Sequence, residues 1–136
     1  MPASLQLEIT TPERLLVRET VKEVQVPGAN GYLGILPDHA PLLGELGCGS
    51  LWYLTESGVR KHISICSGYL EVQPDHVRVL ADRAENAEEI DLDRAQEALR
   101  RAEQRMLNPA PGVDVARALN AAARARARLE AAKHLR

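Results

Sequence analysis

The sequence predicts an α+β protein, with a β-sandwich of about 8–10 short strands over residues 1–85 and an antiparallel two-helix hairpin over residues 86–136. Two observations carry this. Up to Glu85 the chain is rich in Val, Leu and Ile, cut into short runs by turn residues, whereas Ala, Arg and Glu dominate after it. Charge changes at the same place: the first part carries net −4 and the second net +2.

Leu5–Thr10 alternates apolar and polar residues at the strand period of two, and Thr11-Pro12-Glu13 breaks it. Leu15–Arg18 and Val21–Val26 follow as two further strands, closed by the turn cluster Pro27–Gly31. Leu42–Leu46 is a short strand ending at Gly47-Cys48-Gly49, and Ser50–Thr55 alternates again. Val59–Cys66, Tyr69–Val72 and Val77–Ala81 complete the series, with Gly68 and Pro74-Asp75-His76 between them. Short strands spaced by turn signals indicate a sandwich or a small barrel. With no βαβ alternation and no G-x-x-x-x-G-K-[ST] or G-x-G-x-x-G, nothing points to an α/β nucleotide-binding domain.

In the second part, Asp91 is placed to cap a helix whose stripe is Leu92, Ala95, Leu99, Ala102 and Met106. Asn108–Gly112 ends it. Asp114 caps a second helix, with the stripe Val115, Ala118, Ala122, Ala125, Leu129 and Ala132. These seams are mostly alanine. Each buried methyl contributes only about 0.8 kcal/mol, against roughly 1.5–3 kcal/mol for a buried leucine. Alanine also has the highest helix propensity. The helices are therefore expected to persist as helices while seating weakly, and so to be able to redock.

Composition excludes several functions. A net charge of −2 is too balanced for a bulk-charge nucleic-acid or lipid binder. No apolar run reaches the 18–20 residues or so that a membrane helix needs, so no direct membrane insertion is expected, and the N-terminus has no signal-like core. His39, His62, His76 and His134 lack ligand spacing, and no metal site is predicted. Cys48 and Cys66 stand far apart, and buried reduced thiols are the expectation. The six basic side chains between Val115 and Arg136 face one acid, Glu130, but no aromatic platform accompanies them, so no nucleic-acid partner is expected.

The densest stretch is Gly31-Tyr32-Leu33-Gly34-Ile35-Leu36-Pro37-Asp38-His39-Ala40-Pro41-Leu42-Leu43. Its prolines remove two donors and fix φ, so a regular paired strand is not expected to run through it. A stiff bent loop presenting Asp38 and His39 is expected instead. Hydrolytic chemistry from that pair is disfavoured, because no Ser or Cys nucleophile and no oxyanion partner accompany it.

This stretch resembles the G-x-L-G-I-x-P-x-H-A-P-L signature of the epsilon subunit of F-type ATP synthases, the delta subunit of mitochondria. Ser67–Pro74 and Val77–Asp82 resemble the last sandwich strands of that family, and the order of parts fits over the whole length. The resemblance implies a non-catalytic central-stalk subunit that helps couple proton flow to ATP synthesis. Its implied partners are the gamma subunit, the c-subunit ring and the alpha and beta subunits. The implied location is peripheral, on the cytoplasmic side of a bacterial inner (plasma) membrane rather than a thylakoid.

The resemblance assigns Gly31, Tyr32, Leu33, Gly34, Pro37, Asp38, His39, Ala40 and Pro41 to the surface facing rotor and stalk. It implies a mobile hairpin that obstructs ATP hydrolysis when extended, with Arg124, Arg126 and Arg128 meeting the catalytic subunits. Ile90-Asp91-Leu92-Asp93-Arg94-Ala95 matches the I/L-D-x-x-R-A motif of relatives whose folded hairpin binds ATP. By position, that motif assigns Glu85, Asp91, Arg94, Ala95 and Arg101 to one side of such a site, and Arg124 and Arg128 to the other. No cofactor is required, and ATP is the implied regulatory ligand. Arg94 and Arg101 share a helix face, as do Arg124 and Arg128. Such guanidinium groups suit a polyphosphate, although Arg94 with Asp91 or Glu97, and Arg101 with Glu97, can also form ordinary helix-surface pairs.

Overall fold

A computed structural model describes residues 3–133, so His134 and Arg136 lie outside the described residues. The strands are β1 (Leu5–Thr10), β2 (Leu15–Gly28), β3 (Gly31–Ile35), β4 (Leu42–Glu45), β5 (Cys48–Thr55), β6 (Arg60–Val72) and β7 (His76–Asn86). A 3-10 turn, Ala87–Glu89, leads to α1 (Leu92–Leu107) and α2 (Val115–Ala132).

The seven described strands are fewer and longer than the sequence suggests. Leu15–Arg18 and Val21–Val26 are one strand, as are Val59–Cys66 and Tyr69–Val72. Each long strand changes neighbours along its length. The first half of β2 pairs with β1 and its second half with β5 and β3, with a register shift between Val21 and Glu23. β6 pairs first with β5 and then with β4, while β7 accompanies most of it. Two residues with positive φ, Ser67 (64°) and Gly68 (119°), sit in mid-strand, where the pairing with β7 passes from Cys66–Arg83 to Gly68–Ala81 without a change of register. The strand therefore runs on through both residues with its ladder in one register.

β1 pairs antiparallel with β2 and parallel with β7, which closes the circuit β1-β7-β6-β5-β2 into a flattened sandwich. Its core is aliphatic, as a chain without phenylalanine requires: Leu5, Leu7 and Ile9 of β1 meet Leu51, Ile63, Ile65, Val77 and Val79. Alternate residues of β1 point inward, as its period-two pattern foretells.

Tyr53 is buried within this sandwich. Burial, then the charge and hydrogen bond of Glu19, push its phenol up to about 12. Unfolding releases that constraint, so the unfolded chain loses the phenolic proton near pH 10 while the fold keeps it. Between those values the folded state binds more protons, and stability falls as pH rises. Denaturant melts from pH 9 to 12 are expected to show a loss on the order of 2–3 kcal/mol that Tyr53→Phe removes.

Two expectations fail here. Gly31–Ile35 is a regular strand paired to Val24–Gly28, because both prolines fall after it; only Leu36–Pro41 is loop. The cysteines are neither reduced nor both buried. Cys48 and Cys66 oppose each other across β5 and β6 with Cα atoms 3.9 Å apart and form a disulfide, and Cys48 is exposed. Eighteen residues of sequence hide a direct cross-strand neighbour relation.

Both helices are capped as read. Asp91 accepts from the Arg94 N–H and Asp114 from the Arg117 N–H, each at 3.1 Å. α2 lies against β5 and β6 on one side and against α1 on the other. A helix between two neighbours buries more than one stripe, so Ala127 and Ala131 join Ala118, Ala122, Ala125 and Ala132 inside. Val115, expected on the seam, is exposed in the first turn of α2, next to the interhelical turn. The outer helix α1 fully buries only Ala95 and Ala102. Among the described residues, no helix is long and apolar enough to cross a membrane.

Candidate functional site

Between the hairpin and the β6–β7 side of the sandwich lies an open cavity of about 830 Å³, within the range typical of small-molecule sites. The face of α1 bearing Arg94, Ala98, Arg101 and Arg105 forms one wall. Ala121, Arg124, Ala125 and Arg128 of α2 form the second, and Asp82–Glu85 of β7 with Ser64 and Cys66 of β6 form the floor. Glu13 and Arg14, from the β1–β2 turn, reach the rim.

The structure thus gathers Glu85, Arg94, Arg101, Arg124 and Arg128 on one cavity. It separates Asp91 and Ala95 from them. The Asp91 carboxylate caps α1, and Ala95 is buried in the hairpin seam. Arg126 is exposed on another face of α2 and pairs with Glu103 of α1 at 3.5 Å. Sequence reasoning missed Arg14, Arg83 and Arg105. Arg105 was legible, being four residues beyond Arg101 on one helix face. Arg83 and Arg14 come from the sandwich, and nothing local to them announces the cavity.

Seven guanidinium groups line the site against three carboxylates, Glu13, Asp82 and Glu85. Glu85 is occupied by Arg128, Nε to Oε1 at 2.8 Å, a half-buried pair that ties α2 to β7. Arg14 pairs with Glu89 at 3.0 Å, which draws the Glu89 carboxyl below its ordinary range through that hydrogen bond and a second from Asn86. Arg101 pairs with Glu97 at 3.7 Å. Among the described residues, Arg83, Arg94, Arg105 and Arg124 have no carboxylate within ion-pair distance. Burial lowers the Arg124 guanidinium from its usual value, and the charges of Arg83 and Arg117 lower it further. Like charges crowd here, and a bound polyanion would relieve them.

The Gly31–Pro41 stretch lies elsewhere, on the surface. Tyr32, Leu33 and Leu36 are exposed, while Ile35 turns into the core. The Asp38 N–H donates to the Pro74 carbonyl at 2.8 Å, which pins the loop to the β6–β7 turn. The Ser50 N–H donates to the Tyr32 hydroxyl at 3.3 Å, holding that ring against β5. His39 is engaged locally, with Nδ1 2.7 Å from the Ala40 carbonyl. Leu43, Tyr69 and Leu80 extend the exposed apolar surface over β4, β6 and β7, with Leu43 79% exposed. Tyr69 and Leu80 are direct cross-strand neighbours. Side chains of this size left in water on rigid strands mark a docking face.

Known proteins place this arrangement. The family model for the ATP synthase delta/epsilon chain β-sandwich domain matches residues 4–87, and that for its long α-helix domain matches residues 88–133. The chain is 62% identical to the ATP synthase epsilon chain of Solibacter usitatus over 97% of its length and 98% of that relative. It is 47% identical to the ATP synthase epsilon chain of Moorella thermoacetica, over 96% of its length and 97% of that relative. A chain of the Euglena gracilis mitochondrial ATP synthase, solved with OSCP, F1 and c-ring, superposes with a TM-score of 0.81. At 24% identity, over 90% of this chain and 78% of that one, it shows the shared fold. Sandwich, hairpin and sequence agree: the chain belongs to the ATP synthase delta/epsilon chain family.

Proposed function

We propose that the protein is the epsilon subunit in the central stalk of a proton-translocating F-type ATP synthase, a non-catalytic part that helps couple rotation to ATP synthesis. The observation that carries this is the exposed apolar surface of Tyr32, Leu33, Leu36, Leu43, Tyr69 and Leu80 on a sandwich whose own core is complete without them. It fits the gamma subunit and the c-subunit ring. Gly34 supports the same reading: it is exposed, and nothing in the chain lies within 4 Å of where a side chain would begin, so space remains for a partner. Assembly in this position puts the chain at the cytoplasmic side of a bacterial plasma membrane, held by its partners.

The hairpin acts as a movable brake on ATP hydrolysis. The alanine seam and, among the described residues, the Arg128–Glu85 ion pair hold its helices to the sandwich, a seating of small side chains that can be undone. When extended toward the alpha and beta subunits, it offers them Arg124, Arg126 and Arg128. One experiment tests both parts. A chain ending at Glu89, expressed in place of the full chain, is expected to co-purify with alpha, beta and gamma subunits in a complex that hydrolyses ATP faster. Failure to co-purify refutes the stalk assignment of the sandwich; unchanged hydrolysis in an assembled complex refutes the brake.

A second reading, ATP sensing by the folded hairpin, is favoured by the arginine-lined cavity. There Arg94, Arg101 and Arg124 would meet the phosphates.

A further inference from the structure

We propose that Cys48 and Cys66 form a redox site at the seat of the hairpin, and that reducing them with a dithiol tightens the hairpin's hold on the sandwich. The inference is independent of nucleotide binding. It rests on where the pair sits. Cys48 is exposed at the start of β5, while Cys66 is 8% exposed and lines the arginine cavity. Both also border a smaller cavity of about 200 Å³ closed by Asp82 and Arg83 of β7 and by Asn120, Ala123 and Arg124 of α2. The disulfide therefore lies where α2 meets the sheet, with Cys48 its exposed member and Cys66 the buried one that also lines the arginine cavity.

The reaction follows from that asymmetry. A thiolate of the dithiol attacks Cys48 Sγ, forming a mixed disulfide while the Cys48–Cys66 bond breaks and Cys66 leaves with the electron pair as a thiolate. The second thiol of the reductant, on losing its proton, closes onto the mixed disulfide and expels Cys48, which takes up a proton. The protein gains two electrons and the dithiol becomes a disulfide. Arg83 and Arg124 favour the Cys66 thiolate, as cations beside a thiol do, and the Ser67 Oγ lies 3.9 Å from its sulfur. Asp82 opposes them from the exposed end of the floor, and Arg101 and Arg105 add positive charge from α1. The disulfide carries no charge. The thiolate places an anion among unpaired guanidinium groups, and those on α2 and α1 are then drawn toward the sheet.

The test uses the full chain. Trypsin cuts within residues 94–128 are followed by mass spectrometry, with and without dithiothreitol. Reduced protein is expected to be cut several-fold more slowly there than oxidised protein. Cys48→Ser, which keeps the Cys66 thiol, is expected to match the reduced form without reductant, and its Cys66 is expected to alkylate with a pKa below the ordinary value of about 8.5. Cys66→Ser is expected to match the oxidised form. Equal cutting of oxidised and reduced protein overturns the proposal, as does an unshifted Cys66 in Cys48→Ser. If Cys66→Ser does not fold, the wild-type comparison and Cys48→Ser still decide.

Discussion

Valine at position 68 is expected to abolish the native fold. Gly68 has φ of 119°, a conformation that β-branched residues strongly avoid. Its pro-side-chain direction also points at β7: an added Cβ would overlap the Leu80 carbonyl oxygen and lie 2.9 Å from the Ala81 Cα. Both are backbone atoms of a paired strand and cannot swing aside as a flexible side chain would. Backbone strain and overlap together should cost more than about 4 kcal/mol, set against a typical total stability of 5–15 kcal/mol. Circular dichroism melts are expected to show a lost or strongly lowered transition. Gly34→Ala is the matched control, because Gly34 has an ordinary φ and open space around it. It should change stability by no more than about 0.5 kcal/mol. A Gly68→Val protein that melts like the wild type would show that position 68 does not hold the positive φ and the close approach to β7 described here.

Calorimetric titration of the isolated protein with ATP and magnesium is expected to show binding that Arg94→Ala and Arg124→Ala each weaken by about 10–100-fold, the worth of one or two charge-assisted hydrogen bonds. These two arginines are chosen on geometry. They face each other across the cavity from α1 and α2, and neither is held by a carboxylate among the described residues. Arg128 is a poorer probe. Its guanidinium already holds Glu85, so its removal would loosen the hairpin as well as the ligand. Binding should weaken with added salt, since the rim is open and its charges are screened. Unchanged affinity in both variants, or no heat at millimolar ATP, refutes the ATP reading and leaves the stalk assignment intact.

The two glycines show how far local pattern carries. Gly34, in a stretch read as loop, and Gly68, read as a break between two strands, both fall inside paired strands. Gly34 meets nothing within its own chain, whereas Gly68 is fixed by a strand that follows it by a dozen residues. The hairpin was legible because its information is local: caps three residues from their partners and stripes at steps of three and four appear where they were read, Val115 apart. The arginine cavity was half legible. Helix spacing placed Arg94 with Arg101 and Arg124 with Arg128, but their common cavity with Arg83 exists only because α2 sits on β5 and β6. Asp91 and Ala95 show the converse, since adjacency in a motif did not bring them into the cavity.

By itself, the sequence determined the α+β order, the buried faces of most elements and the family, because alternation, helical stepping and an ordered turn motif are written in neighbouring residues. Tertiary structure alone decided that four predicted strands are two, that Cys48 meets Cys66, and that one helix is clasped between its partner and a sheet. Each of those depends on which distant segments share a register. Strand pairing joins backbone groups that any residue supplies, so the side-chain pattern of one segment does not name its neighbour.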